Sequence, residues 1–130
     1  CGKPADQWIA DDAWIAFDFL PTVAKRGAAV IAARGRSSAA SAANATIAHV
    51  RDWLLGTPGG DWTSMAVVSD GSYGVPAGLV SSFPVRCCDS EWEIVLGLPL
   101  NAFARSRVNV SVDELKSEAE EVKSMGLLPA

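Results

Sequence analysis

Ser81-Ser-Phe-Pro-Val-Arg-Cys-Cys88 and Glu91-Trp-Glu-Ile-Val-Leu96 flank the dipeptide Asp89-Ser90, an arrangement typical of a β-hairpin with a tight turn. In the second run, apolar and acidic residues alternate, as in a strand with one buried and one solvated face. Pro84 has no backbone N–H. We therefore expect its strand at the edge of a sheet, or its missing N–H directed away from a ladder.

Helical patterns precede the hairpin. Apolar residues recur every three to four positions over 20–34, with Pro21 near the start, and Gly35 is a natural residue to end that helix. A second helix is predicted from about residue 38 to 55. Asp11 and Asp12 precede Ala13-Trp14-Ile15, which predicts an acidic N-cap and the start of a short helix at this point. Residues 1–10 carry Gly and Pro, and we expect a strand end or a loop there.

The remaining segments complete an α+β order. Residues 64–69 are rich in β-forming side chains and end at the loop Asp70–Pro76, which predicts a third strand. Ser111-Val-Asp-Glu114 is a capping-box pattern, which predicts the start of a last helix that ends at Gly126. Helices, then antiparallel strands, then a helix indicate an α+β domain over 1–130, in contrast to the alternating βαβ order of a nucleotide-binding sheet.

Composition limits the classes of partner. The 130 residues carry a net charge of −4 and are 49% apolar, with a pI of about 4.8. An acidic chain offers no electrostatic support for binding nucleic acid or an anionic membrane. The high apolar content predicts exposed apolar surface that a partner or another part of the protein covers. The odd number of cysteines, Cys1, Cys87 and Cys88, favours reduced thiols and a cytoplasmic location.

The segment Ser37-Ser-Ala-Ala-Ser-Ala-Ala-Asn-Ala-Thr46 contains no residue larger than Asn or Thr and opens the second predicted helix. Short side chains let another helix, or a flat ring, approach the backbone closely. The pattern by itself favours tight helix packing with serine caps over ligand contact.

Other candidate residues have ordinary interpretations. The only histidine, His49, falls in mid-helix without a suitably spaced carboxylate, so a structural role is favoured over general-base catalysis. Cys87 and Cys88 have no metal-ligand spacing and no His or Lys nearby, which argues against thiolate catalysis. Arg34 and Arg36 flank a helix C-terminus, where positive charge offsets the helix dipole. We predict no metal site and no catalytic residue from these patterns.

A resemblance adds to this interpretation. Arg26–Ala43 closely resembles the segment between two helices of malate dehydrogenases of the cytosolic-type group, in the lactate/malate dehydrogenase family. His49–Pro58 resembles its continuation, and Ser64–Pro76 with Ser82–Val85 resembles the family's β region. The resemblance implies the C-terminal catalytic, substrate-side domain of that family, with helices and antiparallel strands.

The resemblance also implies a mechanism and a division of labour. In the family, a histidine paired with an aspartate removes the proton from the 2-hydroxyl of malate, hydride passes to the nicotinamide of NAD, and arginines hold both carboxylates of malate or oxaloacetate. These groups and the nucleotide-binding half would all lie upstream of Cys1, and His49 does not match the family's histidine. By the same resemblance, Ser38 would face substrate and nicotinamide, with Ser41 and Ala42 at the cofactor on the next turn. In the family the same helix also takes part in a homodimer contact, so the resemblance implies a homodimer.

Two alternatives stay open on the sequence. The chain could be an interaction module derived from the enzyme that uses the old interface. It could also belong to a lactate or another 2-hydroxyacid dehydrogenase, since the arginine that binds the second carboxylate of the substrate would lie upstream of Cys1. If the chain is a fragment of the enzyme, we expect it to be inactive alone.

Overall fold

The computed structural model describes residues 5–127, apart from the side chain of Asp6. The chain divides into two compact units, residues 1–46 and residues 47–130. None of the helices in the described range is both long and apolar enough to cross a membrane.

The first unit is helical. It contains α1 (Ala5–Ile9), α2 (Asp12–Trp14), a π-helical turn (Ile15–Phe19) and α3 (Leu20–Arg34). The prediction of a strand end or loop was wrong for the five residues of α1, a helix too short to show a 3.6-residue period. Residues 1–4 of that prediction lie outside the described residues.

The capping and stop signals of this unit are confirmed. The Asp11 carboxylate accepts the backbone N–H of Trp14 at 2.8 Å and caps α2. The π-helical turn lies just before Pro21, which cannot donate to the carbonyl of Phe17 as an α-helix requires. Gly35 ends α3 in the left-handed conformation, and its N–H bonds to the carbonyl of Ile31 at 2.8 Å.

The helix α4 (Ala39–Leu55) begins in the first unit and ends in the second. The second unit then forms a three-stranded antiparallel sheet in the order β1-β2-β3, from β1 (Thr63–Val68), β2 (Val80–Cys88) and β3 (Glu91–Ile94). Asp89 and Ser90 both have positive φ, 51° and 66°, as a type I′ hairpin turn requires. The helices predicted over 20–34 and 38–55 and all three predicted strands are therefore confirmed, with ends shifted by at most two residues.

The edge position expected for Pro84 was wrong, because β2 is the central strand. Extending the β2–β3 register by one pair places Pro84 opposite Val95, whose N–H donates to the Pro84 carbonyl at 2.8 Å. The return bond, from an N–H at position 84 to the Val95 carbonyl, cannot form. The hydroxyl of Tyr73 donates to that carbonyl instead, at 2.5 Å. A side chain eleven residues upstream thus replaces the missing backbone donor.

The buried core of the second unit lies on one face of the sheet and on the last helix, α5 (Ala102–Ser124). Residues on that sheet face alternate with exposed ones, and the buried apolar set is Met65, Val67, Val75, Phe83, Val85, Cys87 and Val112. The predicted start of α5 at Ser111 was wrong. The helix begins nine residues earlier, where Asn101 accepts the N–H of Ala104 at 2.8 Å, and a complete cap there leaves Ser111 in the helix interior.

Candidate functional site

The predicted site residues lie at the start of α4. Gly35 turns the chain after α3, the carbonyl of Ser37 accepts the N–H of Ala39 at 3.1 Å, and Ser38 is the residue that precedes the helix. Ser38 is half-buried, whereas Ser41 and Ala42 are exposed. The small-residue segment therefore presents hydroxyls and methyl groups at a helix N-terminus rather than filling a packed interface within its own unit.

Two hydroxyls of this segment are joined. The Ser41 hydroxyl donates to the Ser38 carbonyl at 2.9 Å, and the two hydroxyl oxygens are 2.8 Å apart. Each serine has one hydroxyl proton. Because the proton of Ser41 is engaged with the carbonyl, the Ser38 proton points to Ser41. The Ser38 oxygen is then left with free lone pairs, so it can accept a hydrogen bond from a ligand.

One turn further, the Thr46 hydroxyl donates to the Ala42 carbonyl at 3.0 Å. That bond holds the Thr46 side chain against its own helix. The Thr46 side chain therefore does not project over Ala42, and a flat group can approach the helix backbone closely there.

The other sequence candidates do not form a catalytic set. His49 is half-buried on α4 and makes no hydrogen bond or ion pair within residues 5–127. The Cys87 thiol is buried against the sulfur of Met65 at 3.5 Å, and burial, with a smaller effect of the Asp52 carboxylate, raises the pKa of Cys87. A nucleophilic thiol needs the opposite shift. The described part of the chain also holds no cluster of His, Cys, Asp or Glu able to bind a metal ion.

The loop between β1 and β2 is more ordered than its sequence indicates. The buried Ser69 hydroxyl donates to the Val75 carbonyl at 2.9 Å, and the Asp70 carboxylate accepts the N–H of Ser72 at 2.9 Å. Hydrogen bonds from Ser72 hold the pKa of Asp70 below its usual value. Arg105 donates to the Tyr73 carbonyl at 2.6 Å and so fixes the loop to α5.

A groove of about 450 Å³ in the second unit was not foreseen. Its walls come from β1, β2, residues 98–100 and one face of α5 that includes Arg107. The sequence signal that could have drawn attention to Arg107 is the lack of an acidic residue three or four positions away on its helix.

Comparison with known proteins gives consistent matches. A family model described as the α/β C-terminal domain of lactate/malate dehydrogenase matches residues 3–125. A malate dehydrogenase of Rhodococcus opacus is 60% identical over 119 residues, which are 92% of this chain and 36% of that protein. This chain thus spans about a third of the length of that relative.

Solved structures agree. The crystal structure of malate dehydrogenase from Naegleria fowleri superposes with a TM-score of 0.83 at 46% identity, over 98% of this chain and 37% of that one. A Trichomonas vaginalis lactate dehydrogenase, solved in complex with NADH and oxamate, gives a TM-score of 0.80 at 30% identity, over 91% of this chain and 37% of that one.

Proposed function

Because this chain belongs to the lactate/malate dehydrogenase family as its α/β C-terminal domain, we propose that it forms one wall of the active site of an enzyme that interconverts malate and oxaloacetate with NAD. The 60% identity to a malate dehydrogenase carries this proposal. Malate is favoured over lactate because the identity to malate dehydrogenases is 60% and 46%, against 30% to a lactate dehydrogenase of similar fold.

The residues at the start of α4 fit the nicotinamide end of NAD. Short side chains at Ser38, Ser41 and Ala42 leave room for a flat ring, and the exposure of Ser41 and Ala42 makes the surface accessible. The chain has no glycine-rich loop of the kind that cradles phosphates, so these residues suit the ring and not the whole dinucleotide. NAD, when bound, supplies the hydride acceptor for the oxidation of a 2-hydroxy acid.

We assign Ser38 the role of a hydrogen-bond acceptor toward the bound ligands, because its own hydroxyl proton is donated to the Ser41 oxygen. The 2.8 Å and 2.9 Å contacts between these two residues support this polarity. An acceptor suits an N–H of the nicotinamide carboxamide or the 2-hydroxyl of malate, and it does not suit a carboxylate.

The test of the activity uses the complete product of the gene that encodes this chain. We expect NAD-dependent malate oxidation, with lactate turned over far more slowly and no turnover by the 130-residue chain alone. A preference for lactate would contradict the substrate assignment. Activity of the 130-residue chain alone would contradict the assignment of the catalytic histidine and the nucleotide-binding half to another part of the protein.

The test of the site replaces Ser38 with Ala. Loss of one hydrogen bond is worth about 0.5–1.5 kcal/mol, so kcat/KM for malate should fall by about 2-fold to 13-fold. Ser117→Ala, which removes an exposed hydroxyl on α5, is the matched control and should leave kcat/KM unchanged. Equal effects of the two substitutions would remove Ser38 from the site.

Homodimer formation and a cytoplasmic location are further parts of the proposal. Large apolar side chains such as Phe17 and Leu55 are 79% and 81% exposed, which supports coverage by a second copy or by the rest of the enzyme. Cys87 and Cys88 are free thiols, which supports a reducing compartment. Sedimentation of the complete gene product as a monomer would contradict the dimer, and its recovery outside the cytoplasmic fraction would contradict the location.

A further inference from the structure

The groove of the second unit combines an apolar interior with polar groups on two walls. On the sheet side, Ser81 shares a strand face with Phe83, because side chains two residues apart on a strand point the same way, and Ser81 lines the groove. On the helix side, Arg107 and Ser111 are four residues apart on α5 and so lie on one face. Between these walls the lining is apolar and includes Phe83, Leu98, Leu100 and Val108.

Arg107 brings an unneutralised positive charge to this groove. Its guanidinium lies 5.4 Å from the ring centre of Phe103, and it forms no ion pair within residues 5–127. By contrast, Lys116 of the same helix is already paired with Asp113 at 3.2 Å. In a chain with a net charge of −4, a free cation beside an apolar cleft selects for a ligand that is itself anionic.

The volume is also suited to a small molecule. At about 450 Å³ the groove lies within the range of small-molecule sites, which are mostly apolar with a few converging polar groups. The serine hydroxyls of the two walls make no hydrogen bond to a described residue, so they are available to a bound head group.

We propose that this groove binds a small amphipathic carboxylate, with its carboxylate at Arg107 and Ser111 and its aliphatic or aromatic body against Phe83, Leu98 and Val108. None of the residues predicted at the nicotinamide lines this groove, and the proposal does not depend on the malate dehydrogenase activity. The occupant is a free ligand rather than a protein segment, because one cation and separate hydroxyls recognise a compact anion.

The experiment titrates the complete gene product with octanoate by isothermal calorimetry, with octan-1-ol as the uncharged analogue. We expect saturable binding of octanoate and about tenfold weaker binding of the alcohol. Arg107→Gln should weaken octanoate binding by about tenfold, as the loss of one charge-assisted hydrogen bond implies. Arg86→Gln is the matched control, because Arg86 is an exposed arginine outside the groove that contacts Glu93 at 3.5 Å, and it should leave binding unchanged.

A blocking variant separates this groove from any other site that accepts carboxylates. Ser111 is an exposed residue of α5 that lines the groove on the same helix face as Arg107, so Ser111→Phe should fold normally and fill the groove. Octanoate binding should be lost in this variant, while circular dichroism and melting temperature stay as in the parent. The absence of saturable binding to the parent would overturn the proposal and indicate that another part of the protein or a second copy covers the groove. Unchanged binding in Ser111→Phe or in Arg107→Gln would also overturn it.

Discussion

Removal of one hydroxyl, by Tyr73→Phe, tests whether a side chain completes the central part of the sheet. The Tyr73 hydroxyl donates to the Val95 carbonyl at 2.5 Å and accepts the N–H of Leu98 at 3.3 Å. Phenylalanine leaves both groups without a partner. Each lost bond is worth about 0.5–1.5 kcal/mol. Because Tyr73 is only half-buried and water can partly replace the hydroxyl, we expect a total cost of about 1–2 kcal/mol.

The assay is hydrogen exchange of the complete gene product, followed by mass spectrometry of peptides that cover residues 93–100. A cost of about 1.4 kcal/mol corresponds to a tenfold change, so exchange at the Leu98 amide should accelerate by about tenfold in Tyr73→Phe. Thr63→Val is the control. It removes a strand hydroxyl that makes no hydrogen bond within residues 5–127, and it should leave this peptide unchanged.

The same substitution in a Pro84→Val variant tests whether Tyr73 replaces the backbone donor that proline lacks. Pro84→Val restores an N–H that can donate to the Val95 carbonyl, so Tyr73→Phe should cost about 1 kcal/mol less in that background. An unchanged cost would refute the view that Tyr73 replaces the missing donor of Pro84. Equal exchange in Tyr73→Phe and Thr63→Val would refute the contribution of the hydroxyl altogether.

Three further predictions concern other parts of the chain. Gly56 has a φ of 89°, and an added Cβ would lie 3.2 Å from the Cys87 carbonyl oxygen, so Gly56→Ala should destabilise the fold by about 1–3 kcal/mol. Gly27 lies in the interior of α3 with open space around it, so Gly27→Ala should stabilise the fold by about 1 kcal/mol. A similar melting temperature for both variants would contradict this contrast. Iodoacetamide should modify exposed Cys88 much faster than Cys87, whose thiol is buried and has a raised pKa; fragment-ion mass spectrometry distinguishes the two, and faster modification of Cys87 would count against the core packing. Hydrogen bonds from Ser72 hold the pKa of Asp70 below its usual value of 3.8. The small stabilising effect of this contact is therefore present above the unfolded-state pKa and is lost as pH falls through the folded-state pKa. The NMR chemical shift of the Ser72 amide should titrate with a midpoint below 3.8, and persistence of that titration in Asp70→Asn would argue against the assignment.

Local signals in the sequence account for most of the fold. Gly35 and Asp11 mark helix ends because capping depends on groups within four residues of each other. The hairpin at Asp89-Ser90 was predictable for the same reason, since a two-residue turn and its flanking strands are adjacent in the chain.

The errors have physical causes of longer range. The position of Pro84 in the central strand depends on Tyr73, a partner that only the folded chain brings close. The capping box at Ser111 was misleading because the stronger cap at Asn101 had already started the helix. The wall at Ser38 was predicted from a family resemblance. The groove at Arg107 instead depends on two strands and several loops that meet α5, and a local sequence pattern gives almost no sign of it.

The indole of Trp53 donates to the Ser90 carbonyl at 2.9 Å, which joins the last turns of α4 to the tip of the hairpin. A lengthened tip would move that carbonyl out of reach of the indole. Evolutionary insertions and deletions in this second unit should therefore be rare at Asp89-Ser90. They should accumulate instead between Pro58 and Asp61, where Gly59 and Gly60 have open space around them.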